Sequence, residues 1–483
     1  MIFNSIVFAV FFTSFFLFYW LACSKSLKLQ NLLLLVGSYV FYAWGDWRFL
    51  PLLIGNSLLY YLLGIAVHRS QKEKTKFWLF LLGLGIGLGG LIFFKYTTFL
   101  LQSVADVIST VGFTLNAGTS HFILPLGISF FTFRNLSYLI DVYKGKVEPT
   151  KDWIVFFSYV AFFPSLVAGP IDKSRTLIPQ IENKRVFDYG QASDGMRQIL
   201  WGLFKKVVIA DNCATFTDEI FNGYHDLPAS SLLLGAFFYT IQIYADFSGY
   251  SDMAIGFARL LGFNITKNFN YPLFSQNIAE FWRNWHMSLT SWATEYVFTP
   301  LNIAFRGMGK LGMILAVIIN FTVIGIWHGD NWTFVLFGFL HGCFFIPLIL
   351  RGTIIKKSEI DKNRLLPTAR EAMNIVLTFS QVMFAFIIFR STSVGDALEY
   401  FQLMANPSLI SIPVISLKKR AAVTLLFVFL MLLMEWLNRD KHYAVAEIGL
   451  RWSKPMRWLC YYGSIFFIFF LAAPGQNFIY VQF

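Results

Sequence analysis

Charge is scarce in this chain of 483 residues: Asp, Glu, Lys and Arg make up only 14% of it, against about a quarter in ordinary soluble domains. That shortage excludes a conventional soluble enzyme. Cysteine is scarce too, and Cys23, Cys213, Cys343 and Cys460 show no CxxC pair or other ligand spacing. A disulfide framework and a thiolate metal cluster are therefore not indicated. Low-complexity linkers and polar stretches long enough for a soluble domain are lacking as well, so residues 1–483 are expected to form one integral membrane domain.

Apolar surface is abundant, with 56% hydrophobic and 19% aromatic residues. The runs Ile2–Leu21, Phe77–Phe94, Phe122–Ile140 and Ala421–Leu437 approach or reach the roughly 17–25 residues that a helix needs to cross the hydrocarbon of a bilayer. The expected fold class is all-α: a polytopic transmembrane helical bundle of about a dozen spans. The first run has no basic leader and no small-x-small cleavage site, so it is read as a retained span.

The net charge of +12 would suggest nucleic acid in a soluble protein. Here it follows from basic residues collecting in cytoplasmic loops, and no nucleic-acid partner is expected. Lys25 and Lys28 follow the first span and a basic tract runs from His68 to Lys76, while the short turn Gly45–Arg48 lies between the second and third spans. That alternation puts the N-terminus outside a cytoplasmic (inner) membrane. The basic loops Arg351–Arg370 and Arg439–Arg457 are expected on the cytoplasmic side.

Several polar signals carry no chemistry. Residues Gly85–Gly90 match GxGxxG but lie inside an apolar run with no strand before them, so close helix packing explains them better than a dinucleotide site. His68, His225 and His442 fall in polar joints, and His121 precedes a span. Two other clusters differ, because an ionisable group at membrane depth is costly and marks a functional site by default. The first is Phe281-Trp282-Arg283-Asn284-Trp285-His286. The second is Ile326-Trp327-His328-Gly329 with Asn331.

In the first cluster, Phe281, Trp285, Ser288 and Trp292 recur at helical spacing, which predicts one helix with an aromatic stripe bordering a pocket. Glu280 and Arg283, three residues apart, could neutralise each other on it. The second cluster separates two apolar runs, so His328 is expected at a break between helices, either as a helix-end hydrogen-bonding group or as a neutral base. His341 follows 13 residues later, about 220° round a continuous helix, and no metal site is expected from these histidines. Pro272 and Pro300 interrupt any simple span after Asn264, and irregular backbone of that kind is tolerated at membrane depth only against protein or a watery cavity.

Longer motifs carry a resemblance. They include Ser38-Tyr39-Val40-Phe41-Tyr42-Ala43-Trp44, Leu124-Pro125-Leu126-Gly127-Ile128-Ser129-Phe130-Phe131, Phe162-Phe163-Pro164, Ala168-Gly169-Pro170-Ile171, Trp201-Gly202-Leu203-Phe204-Lys205-Lys206, Asp246-Phe247-Ser248-Gly249-Tyr250-Ser251-Asp252 and the closing Phe478-Ile479-Tyr480. Nearly end to end, the chain resembles the membrane-bound O-acyltransferase family. The resemblance is strongest to the bacterial branch that acetylates alginate, other exopolysaccharides or peptidoglycan, or D-alanylates teichoic acids. It implies spans plus re-entrant or interfacial helices around a central tunnel, with a cytoplasmic entrance for an acyl donor.

By the same resemblance, His328 matches the family's catalytic histidine and His286 its second, Asn-or-His, position. Trp285, Asn331, His341 and Arg283 are candidate supporting residues. Three departures stand out: Arg134 and Ser165 occupy positions where relatives usually carry Gln, and Ala293-Thr294-Glu295 replaces the usual Leu-Arg-Asp.

The implied reaction moves an acyl group, acetyl first, from a thioester such as acetyl-CoA or an acyl-carrier protein toward a hydroxyl of an extracytoplasmic polysaccharide such as alginate. No tightly bound cofactor is expected. A histidine near its pKa suits the removal of the hydroxyl proton, a contribution of typically 10²–10⁴-fold. His286 is expected to orient the acceptor or donate to the developing oxyanion. The resemblance further implies a periplasmic or membrane-anchored hydrolase-like partner that completes transfer. D-alanyl transfer to teichoic acid and peptidoglycan O-acetylation are alternatives within the family. A transporter of polysaccharide precursor or acyl group is the alternative of another class, since polar residues in a bundle also mark transport paths.

Overall fold

The computed structural model describes residues 1–112, 123–356, 364–473 and Phe478. His121, Ile479 and Tyr480, named above, lie outside the described residues. All regular secondary structure among the described residues is helical, with no strand. Six of its helical stretches are long and apolar enough to cross a membrane: 27–69, 73–110, 306–328, 332–350, 369–390 and 418–437. A shorter apolar helix covers Ile6–Ala22. With these helices the protein is a multi-pass membrane protein.

Helix starts follow local chemistry. The hydroxyls of Ser5 and Ser26 accept the backbone N–H groups of Phe8 and Leu29, and Thr368 with Glu371 forms a reciprocal capping box at the head of Ala369–Arg390. The apolar run expected over Phe122–Ile140 becomes the shorter helix Ile128–Tyr143. Gly127 sets its start, with a left-handed φ of +70° at a position where a Cβ would lie 2.7 Å from the carbonyl oxygen of Leu166. Only glycine meets both demands without strain.

The chain divides into two compact units, one made of 1–192 with 257–266 and the other of 193–256 with 267–483. In the first unit, Gly83 and Gly87 bring the helix Glu73–Leu91 hard against its neighbours. A Cβ on Gly83 would fall 2.2 Å from Leu139, and one on Gly87 would fall 2.3 Å from the Tyr60 hydroxyl, so close packing accounts for these two glycines, whereas a Cβ on Gly85, Gly89 or Gly90 would meet nothing within 4 Å. Buried Gln30 and Asn31 pin the helix Leu27–Asp46 to the segment around Arg185.

The second unit is organised around the 32-residue helix Ala229–Leu260. A π-helical turn, Lys205–Ala210, presents two successive lysines to it. Lys205 pairs with Asp252 at 2.6 Å, and Lys206 with Asp246 at 2.7 Å and Asp211 at 2.8 Å. These are buried charges, tolerable because each has opposite charge in contact. Asp246 and Asp252 are thereby explained as ion-pair partners.

Candidate active site

The central aromatic stretch forms two short helices, where the spacing of the aromatic stripe predicts one. Ile278–Asn284 ends, and Met287–Ala293 begins after His286, whose φ of 43° and ψ of 51° are left-handed. For a residue with a Cβ this conformation costs about 1–2 kcal/mol, and such strain clusters at functional sites.

Neighbouring segments hold the break open. Met287 N–H donates to the Asn268 carbonyl at 2.9 Å, and Asn270 N–H donates to the Asn284 carbonyl at 2.9 Å. The Asn268 side chain accepts from the Ser288 hydroxyl at 2.8 Å and from its backbone N–H at 3.3 Å, and donates to Ser251 Oγ at 3.2 Å. Asn268 thus ties the turn to the helix Ala229–Leu260. Sequence reading passed over it, although it stands in the polar run before Pro272.

His328 is the last residue of the helix Gly309–His328, at the expected break. The next helix, Trp332–Phe344, doubles back against it. Two glycines permit the approach, since a Cβ on Gly325 would lie 2.2 Å from the Phe334 carbonyl oxygen and one on Gly338 2.3 Å from that of Phe321. The 13-residue spacing from His328 to His341 therefore does not separate them as it would on one helix.

Aromatic rings link all three histidines. His286 lies 4.6 Å from Phe247 and 5.8 Å from Trp327 between ring centroids, and Trp327 lies 4.9 Å from His328. Phe337 sits 6.2 Å from His328 and 4.5 Å from His341. A cavity of about 290 Å³ is lined by Ile243, Trp282, Trp285, His328, Phe337, Phe386 and Phe389. Of the histidines, His328 alone lines it.

His286 and His341 stand behind that lining, both fully buried. His286 lies outside the candidate spans, and burial first, with the second imidazole of His328 adding to it, holds it well below the ordinary histidine range. His341 Nδ1 accepts from Trp282 Nε1 at 3.1 Å, which places its proton on Nε2.

The other sequence candidates divide. Trp285 lines the cavity and stacks on Phe281 at 5.2 Å. Asn331 turns away: its Oδ1 caps the helix Trp332–Phe344 by accepting Thr333 N–H at 3.0 Å, and its Nδ2 donates to the Thr392 carbonyl at 2.7 Å. Arg283 donates to the Ile354 carbonyl at 3.1 Å. Glu280 accepts the Gln276 N–H at 2.9 Å.

A second cavity, of about 330 Å³, is polar, with Lys205, Asp252, Lys267, Asn268 and Glu435 in its wall. Asn268 touches both regions, lining this chamber while clamping the turn at His286. Burial drives the Lys267 ammonium down to about 8, with Asp252 opposing that shift, Lys205 adding to it and Glu435 opposing it.

The sequence profile of the membrane-bound O-acyltransferase family matches residues 150–389, a range that contains His286, His328 and His341. The chain is 36% identical over 409 residues to the probable alginate O-acetylase of Azotobacter vinelandii, covering 84% of this chain and 78% of that protein. It is 30% identical to the peptidoglycan O-acetyltransferase of Helicobacter pylori, covering 96% and 93%. A teichoic acid D-alanyltransferase of Streptococcus thermophilus is 30% identical, over 57% of this chain and 70% of its own length.

Proposed function

Because this chain belongs to the membrane-bound O-acyltransferase family and is an acyltransferase, we propose that it moves an acetyl group from a cytoplasmic thioester toward a hydroxyl of an extracytoplasmic polysaccharide of the alginate type. The observation that carries this reading is the position of His328, at a helix end and in the wall of a cavity otherwise lined by Trp, Phe and Ile side chains.

In this mechanism the neutral His328 imidazole accepts the proton of the attacking hydroxyl as its oxygen bonds to the thioester carbonyl. The tetrahedral intermediate then collapses with loss of the thiolate, which takes up the proton. His286 contributes an N–H donor toward the developing oxyanion. His341, its tautomer set by Trp282, braces the ring cluster. Asn331 and Arg283, engaged with Thr392 and Ile354, serve to position helix ends.

The donor is acetyl-CoA or an acetylated carrier protein. The product passes to the polymer through a periplasmic or membrane-anchored hydrolase-like partner, from a cytoplasmic (inner) membrane in which the N-terminus faces outside. The similarity to alginate O-acetylases at 36% identity supports acetyl as the group moved and alginate-type polysaccharide as the acceptor.

The test uses full-length protein in proteoliposomes with acetyl-labelled acetyl-CoA and a hydroxyl acceptor. Labelled transfer is expected from the wild type and not from a correctly inserted His328→Ala variant. Undiminished transfer by that variant would overturn the role of His328. Transport of label without ester formation would favour a carrier.

A further inference from the structure

Away from the histidines, the second unit carries a large apolar groove, of about 1300 Å³, between the helices Tyr189–Phe204, Lys418–Leu437 and Lys454–Phe470 and the loop 445–452. Phe204, Phe427, Leu430, Ile448, Trp452 and Phe467 supply its apolar lining. One of these helices, Lys418–Leu437, is a candidate membrane span, and an apolar groove of this size beside it takes hydrocarbon.

The charged residues in its lining are two cations, Arg197 and Arg457. Arg197 gives Nη2 to Asp194 at 3.0 Å, leaving its buried Nε with no hydrogen-bond partner among the described residues. Arg457 likewise has a buried, unengaged Nε, and no carboxylate lies within ion-pair distance of it among the described residues. A buried guanidinium nitrogen without an acceptor is costly, and one guanidinium offers a fork matched to phosphate oxygens.

We propose that this groove is a binding site for an anionic phospholipid of the bilayer, its acyl chain lying on the Phe427–Phe467 wall and its phosphate held by Arg197 and Arg457. Charge complementarity selects this occupant. A second protein chain would not need two guanidinium groups beside an apolar wall, whereas basic pockets between membrane helices bind anionic lipid headgroups. The lining also leaves room at one point, because a Cβ built on Gly463 meets nothing within 4 Å.

The experiment titrates full-length, delipidated protein in detergent with phosphatidylglycerol or phosphatidylcholine, and reads bound lipid by native mass spectrometry and protection by the rise in Tm. One tightly retained phosphatidylglycerol is expected, with phosphatidylcholine washed away. Arg197→Gln/Arg457→Gln should weaken phosphatidylglycerol binding about thirtyfold, from two cations each worth about fivefold. Gly463→Phe should block retention with both arginines intact, while leaving Tm in lipid-free detergent unchanged. Equal retention of the two lipids, wild-type retention by both variants, or displacement of phosphatidylglycerol by a second copy of the chain or by acetyl-CoA would each overturn the proposal.

Discussion

Arg134 donates from Nη2 to both the hydroxyl and the carbonyl of Ser165, the latter at 3.0 Å. These are two positions at which the resemblance implies glutamine, and they meet in space, fully buried. Arg134 also gives Nη1 to the carbonyls of Tyr159 and Val160, the last turn of the helix Trp153–Val160. A cation there satisfies orphan carbonyls and complements the helix dipole.

It follows that the two positions are energetically coupled. Arg134→Gln alone should destabilise by about 2–4 kcal/mol, because it strips buried carbonyls of a charged donor. Arg134→Gln/Ser165→Gln should recover about 1–2 kcal/mol of that loss by letting two amides bond each other. Thermal unfolding of the single and double variants in one detergent measures the coupling, and strict additivity would refute it.

Asn268 offers a separate test, because it bonds the turn at His286 and is not among the residues lining the cavity at His328. Asn268→Ala removes both bonds its side chain accepts from Ser288 and the one it donates to Ser251, while His286 keeps its ring contacts and Met287 N–H keeps the main-chain carbonyl at 268. We expect kcat to fall by about 10–10²-fold, the effect of roughly an ångström of misplacement, with KM for the thioester nearly unchanged. A fall in Tm with unchanged kcat would assign Asn268 to stability alone.

The sequence made the membrane class, the break at His328 and the family legible, because these rest on apolar run length and on contiguous motifs. It did not make the split between Ile278–Asn284 and Met287–Ala293 legible. Helical spacing continues from Phe281 through Trp292, and the left-handed turn at His286 depends on Asn268, a residue 18 positions upstream. For the same reason the cavity lining was half visible: Trp282, Trp285 and His328 stood out, whereas Ile243, Phe386 and Phe389 are indistinguishable in sequence from dozens of other apolar residues. Asn331 looked chemical from its neighbours, and its cap on Trp332–Phe344 is what placed it there.

Lys267 should imprint a pH dependence on stability. Its proton leaves the folded protein near pH 8, against an ordinary value of 10.5. Below pH 8 the desolvation cost of the ammonium is fully present. Between the two values the unfolded chain binds a proton that the folded chain has released, so this group's contribution to stability rises with pH. The surrounding charges, Asp252, Lys205 and Glu435, remain in Lys267→Met, which removes the titration. The Tm of the variant minus that of the wild type should therefore decrease from about pH 7 to about pH 10. A difference that is flat across that window would contradict the assignment.

His286 and His328 should respond differently to the same replacement. A general base needs a titrating lone pair, which an amide lacks, so His328→Asn should lose about 10²–10⁴-fold in rate, as His328→Ala does. An oxyanion donor needs only an N–H in place, and Asn supplies one. Asn is also among the residues best suited to a left-handed backbone, the conformation at His286, so His286→Asn keeps the turn as well as the donor. We expect His286→Asn to retain activity within about tenfold, and His286→Ala to lose about 10²–10³-fold, the usual cost of one oxyanion donor. Steady-state acetyl transfer by the four variants at matched membrane insertion decides the matter. Equal loss in His286→Asn and His286→Ala would mean that position 286 needs an imidazole, and would make His286 a second proton carrier.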